Sequence, residues 1–205
     1  MSNTRPGFIV FMAHTNESVS RQQAVLTAMR EQGAAGIALC PVLATDHLIS
    51  KGHKRIGFVG GETGIVMDQR LNGYKQSLAD AGIAFDERLI FRTRPTREGG
   101  HAAMTALLGT KPKVRAAVCY NDLVAFGALS ALGERGMKAG GDFALMGFDN
   151  VLAAAHSNPP LSTIDVRPSE LGEHAAAILL SRIEEPGRPV ERYLGKPELL
   201  LRQST

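Results

Sequence analysis

Apolar residues in this chain come in two spacings that take turns from one end to the other. Short unbroken runs suit buried strands, and stretches with apolar positions at three- and four-residue steps suit helices. The runs are Gly7 to Ala13, Gly36 to Cys40, Arg55 to Val59, Leu89 to Phe91, Val114 to Cys119 and Phe143 to Phe148. The helical stretches are Arg21 to Met29, Leu43 to Ile49, Val66 to Ala81, Arg97 to Leu108 and Asp122 to Arg135. Glycines such as Gly33, Gly52, Gly82 and Gly136 stop most of them. Further on, Leu161 to Val166 is extended, Pro168 opens a helix through Ile183, and Glu198 to Leu201 forms a last strand. Strand and helix alternate through short loops, the pattern of an α/β fold whose parallel sheets are covered by helices on both faces.

Composition narrows the picture only a little. The 205 residues, 44% hydrophobic and 21% charged, suffice for one large domain or two small lobes, and exclude a disordered chain. Nothing approaches the run of about eighteen apolar residues that a membrane span needs. The amino end holds no apolar stretch of signal-peptide length before His14, so secretion is not expected. A net charge of +3 is too small to imply nucleic-acid binding. Cys40 and Cys119 each end an apolar run and read as buried thiols rather than as a disulfide or a nucleophile. The six histidines lack metal-site spacing, and no metal or cofactor is expected.

In an open parallel sheet, ligands bind beyond the carboxyl ends of the strands. Here those ends carry Gly60-Gly61, Tyr120-Asn121-Asp122 and Asp149-Asn150. Asn121 and Asp149 also suit the cap of a following helix, and residue type alone does not separate capping from ligand contact. The glycines around Gly60 fit neither a dinucleotide fingerprint nor a phosphate loop. No serine stands in a nucleophile elbow, and no catalytic residue is predicted.

The motifs, taken in order, do carry a resemblance. His53 to Gly61, Arg70-Leu-Asn-Gly-Tyr74, Ala117 to Asp122 with Ala125 to Leu129, and Gly147-Phe-Asp-Asn150 resemble the LacI/GalR transcription regulators. So do Pro160 to Ile164, Pro168 with Leu171-Gly172, and Pro197 to Leu200 with Arg202. The match runs over residues 43 to 205, and Gly7 to Pro41 follow more loosely.

The resemblance implies two Rossmann-like lobes of the periplasmic-binding-protein kind, with a small ligand in the cleft between them. It implies that Arg70, Asn121 and Asp149 face that cleft, with Tyr120 or Phe148 as an aromatic wall, although core packing also suits Phe148. A carboxylate, a guanidinium and an amide are apt partners for the hydroxyls of a sugar. Arg70 could instead pair with a local acid such as Asp68. The lobes are expected at 1–52 plus 161–190 and at 53–160 plus 191–205.

The implied function is effector binding in a cytoplasmic, homodimeric, non-enzymatic bacterial regulator. Its effector would be a sugar or sugar-like metabolite, and it would reach DNA only through a helix-turn-helix head not seen in this chain. A soluble sugar-binding protein of a transport system is the alternative. The departures lie in the first lobe, which reads as incomplete. Only Val42 separates Pro41 from Leu43 where the family has further strands, so a segment is expected to be missing there.

Overall fold

The computed structural model describes residues 42–189, 191, 193 and 195–205. The strands and helix expected within residues 7–40, Cys40 and the junction at Pro41 lie outside the described residues. Helix α1 (Val42–Ser50) leads into β1 (Ile56–Val59), then α2 (Ile65–Asp80) and a single 3-10 turn (Glu87–Leu89) before β2 (Ile90–Phe91). Helix α3 (Arg97–Leu108), β3 (Ala116–Cys119), α4 (Asp122–Gly133) and β4 (Ala144–Met146) follow. The short helix α5 (Leu152–His156), β5 (Thr163–Asp165), the long α6 (Pro168–Glu184) and β6 (Glu198–Leu200) complete the order.

Strands β2-β1-β3-β4 form a four-stranded parallel sheet in that spatial order. Ile56, Phe58 and Val59 of β1 and all four residues of β3 are buried, because helices cover both faces of the sheet. Helix α2 turns Met67, Leu71, Tyr74 and Leu78 inward at helical spacing, and the Tyr74 hydroxyl donates to the Ile56 carbonyl at 2.8 Å. Helix α3 starts where the Thr96 hydroxyl accepts the Gly99 N–H at 3.1 Å. Cys119 is a buried free thiol, as its place at the end of an apolar run predicts, and burial pushes its pKa up.

Helix α1 packs on α2, with Ala44 and Leu48 fully buried in the core of this sheet. Its neighbours are α2, β3 and the strand Thr163–Asp165. The segment after α5 completes the sheet's far edge. Ser162 bridges to Met146 in parallel, and Ser204 crosses beside them, its carbonyl accepting the Leu145 N–H at 2.7 Å. Strands β5 and β6 pair antiparallel, Thr163 against Leu200 and Asp165 against Glu198. Helix α6 contributes no buried residue, and it leaves Leu179, Leu180 and Ile183 exposed.

Helices α3 and α4 lie together at backbone contact. A Cβ on Gly127 would stand 1.9 Å from the Arg97 carbonyl oxygen, and one on Gly100 would stand 2.1 Å from that of Val124. Gly127→Ala is therefore expected to lower stability by about 2 kcal/mol, although alanine favours a helix by up to about 1 kcal/mol. Gly133→Ala on the same helix, with nothing within 4 Å of its Cβ, is expected to be neutral or stabilising. Urea unfolding of both variants measures the contrast.

Candidate functional site

The spatial order β2-β1-β3-β4 reverses direction between β1 and β3, and the loops leaving their carboxyl ends part there. On the β1 side stand Gly60 and Gly61, both at positive φ. A Cβ on Gly61 would lie 2.7 Å from the Tyr120 ring, so only glycine lets that ring settle against the turn.

Arg70, in the second turn of α2, reaches into this space and is buried. Its guanidinium carbon lies 4.5 Å from the centre of the Tyr120 ring and 3.9 Å from that of Phe148. Nη1 donates to the Tyr120 carbonyl, and Nη2 donates to Asp149 Oδ1 at 3.1 Å. The partner of Arg70 is thus Asp149 rather than Asp68. Among the described residues, the buried Nε of Arg70 meets no acceptor. The Asp149 side chain is about a third exposed, so this ion pair sits at a wet rim with its cation inside. Desolvation pushes the Asp149 carboxyl above its ordinary range, against the opposing pull of Arg70.

Four of the five residues singled out in the sequence (Arg70, Tyr120, Phe148 and Asp149) therefore form one cluster. The fifth, Asn121, caps α4, its Oδ1 accepting the Val124 N–H at 2.9 Å. Phe148 is buried, so it serves the core and the cation together. An open cavity of about 590 Å³ lies on the same rim, between Glu62 after β1 and Arg92, Thr93 and Arg94 after β2. Among the described residues no group of side chains could hold a metal ion, and no helix is long and apolar enough to cross a membrane.

The backbone of the site is strained. Asp149 sits at φ +112° and Asn150 at φ +54°, conformations that cost about 1–3 kcal/mol each outside glycine and gather at functional sites. Two polar groups near this turn were not singled out in the sequence. Arg202 donates to Asn150 Oδ1 at 2.8 Å, and Asp122, fully buried, faces Thr163 and Val151. Burial, with the charge of Asp149 acting in the same direction, pushes the Asp122 carboxyl up to about 6.

Residues 45–205 match the family model described as the periplasmic binding protein-like domain. The HTH-type transcriptional regulator GalR of Escherichia coli (strain K12) is 37% identical over 163 residues, 79% of this chain and 48% of that protein. The solved complex of the transcriptional regulator CelR with cellobiose is 34% identical with a TM-score of 0.74, covering 80% of this chain and 51% of that one. A LacI family regulator from Enterococcus faecium with bound ribose is 27% identical with a TM-score of 0.78, covering 90% and 75%. The chain belongs to the periplasmic binding protein-like family, in its LacI/GalR group. It spans about half the length of the curated relatives it matches.

The elevated Asp122 carboxyl makes stability depend on pH. An acid whose folded pKa exceeds its unfolded value stabilises the fold while protonated, and that contribution disappears as pH rises through the folded pKa. Measured against Asp122→Asn, the protein is expected to lose up to about 3 kcal/mol between about pH 4 and pH 7 and then level off. Thermal or urea unfolding of the two proteins across that range gives the difference curve.

Proposed function

We propose that this chain is the effector-binding domain of a LacI/GalR-type bacterial transcription regulator, and that its effector is a sugar or sugar-like metabolite. One observation supports this most directly. Arg70 is held between two aromatic rings and against Asp149 at the point where the strand order reverses, with its Nε unpartnered among the described residues. Adjacent ring hydroxyls can bridge a carboxylate and a guanidinium, and the aromatic rings supply the apolar wall such a cleft needs. The sugars bound by the CelR and Enterococcus faecium structures fit this reading. The domain is non-enzymatic and works in the cytoplasm, and DNA contact belongs to a helix-turn-helix head outside it. No cofactor is required.

We assign helix α6 to a second lobe, apart from the four-stranded sheet. Helix α6 supports the division, since it gives nothing to the sheet's core and leaves its apolar residues exposed. A panel of mono- and disaccharides that includes ribose and cellobiose, titrated by calorimetry, tests the reading. One member is expected to bind saturably. Asp149→Ala and Arg70→Ala are each expected to weaken it about ten- to a hundredfold, the value of a charge-assisted hydrogen bond. Full affinity in both variants would remove the site assignment.

The regulator would act as a homodimer, because palindromic operators need two heads. An apolar patch supports this. Leu152 is 82% exposed, and the half-exposed Leu123 follows the Asp122 that bonds its neighbour Val151. Leu152→Glu is expected to shift a sedimentation-equilibrium mass from dimer to monomer. A mass identical in both proteins would place the dimer contact elsewhere.

A further inference from the structure

Asp122 is a fully buried acid that the ligand-facing cluster does not use directly. Helix capping does not explain it, because Asn121 already fills the cap of α4. Its bonds run elsewhere. The Asp122 N–H donates to the Phe148 carbonyl at 2.8 Å. Its Oδ2 accepts the Val151 N–H at 2.9 Å, and its Oδ1 accepts the Thr163 hydroxyl at 2.7 Å. Asp122 thus grips the chain at Phe148 and at Val151, on the two sides of the strained pair Asp149–Asn150. It grips β5 as well. Gly147 makes the approach possible, since a Cβ there would stand 2.2 Å from Asp122 Oδ1.

Bond direction matters here. An ionised carboxylate only accepts, so it fixes the Thr163 hydroxyl as donor and turns its lone pairs towards the Asn150 N–H, 3.4 Å away. The Asp149 N–H meanwhile donates to the Ile164 carbonyl at 2.9 Å. The amides of Asp149 and Asn150 are therefore laid on β5 and that of Val151 on Asp122, so two of the three bonds depend on one side chain. A positive-φ pair of non-glycine residues persists only where its surroundings over-determine it.

We propose that Asp122 is a positioning residue, whose carboxylate clamps the Asp149–Asn150 turn to β5 and so holds Asp149 facing Arg70. The use of that placement rests on the ligand-binding role proposed above. The placement itself can be tested with no sugar present, so a failure of either idea leaves the other standing.

The test is amide hydrogen exchange by NMR on the whole chain. The Asp149 amide is the reporter, because it bonds to Ile164 and not to Asp122, and Val59 and Val118 in the central strands are the references. In Asp122→Ala the Asp149 amide is expected to exchange at least about tenfold faster than any change at the references, the value of the lost charged hydrogen bonds. Asp122→Asn, whose side-chain oxygen still accepts from Val151, is expected to restore exchange to within about threefold of the wild-type rate. If the alanine variant does not fold, Thr163→Val removes one anchor and is expected to move the Asp149 amide in the same direction. An Asp149 amide that tracks Val59 and Val118 in the variant that folds, or an asparagine that rescues nothing, would overturn the proposal.

Discussion

A guanidinium is costly to take out of water unless its charge is paired, because an unpaired buried charge costs several kcal/mol. Around Arg70 that requirement organises the carboxyl edge of the sheet. The Tyr120 and Phe148 rings cover its two faces, the Tyr120 carbonyl takes one donor and Asp149 takes another. These groups come from the ends of β3 and β4, while Arg70 comes from the helix after β1. One side chain therefore ties three successive segments of the fold together. The turn at Gly61 leaves room for the Tyr120 ring, so the glycine pair after β1 serves the same end.

Much of this arrangement is written locally. Strands buried on both faces lose the alternation of a half-exposed strand and become short apolar runs, so β1 and β3 stand out in the sequence. Helix α3 has both ends marked, by Thr96 as cap and Gly109 beyond its last turn, and its predicted bounds match those observed. Several strand ends lie a residue or two inside the predicted run, where ladder bonds stop before the apolar run does, as at Val114 and Phe143, whereas α1 and the end of α6 extend one residue further. The five-residue α5 was not legible. It lacks a capping side chain, and three successive alanines carry no periodicity.

Strand ends and residue type singled out Asn121 and Asp149, whereas Arg70, Tyr120 and Phe148 entered through the resemblance. Asn121 met both descriptions, and the structure shows the cap. Asp122 hid behind it, since an acid in the first turn of a helix is ordinary on dipole grounds. Its distinguishing contact is with Thr163, 41 residues further along, and no local pattern encodes that distance. The antiparallel pairing of β5 with β6 was invisible for the same reason, although both strands were read as extended.

The close seating of α3 on α4 has a mechanical side. Where helices meet through glycine, the contact is backbone on backbone, and no side-chain rotamer is available to absorb a displacement. The sheet and these two helices should then behave as one stiff plate. Compliance is left to the chain that runs off its edge through the antiparallel ribbon of β5 and β6. A push delivered at the carboxyl rim would be passed on whole to that ribbon, because the plate has no slack in which to lose it.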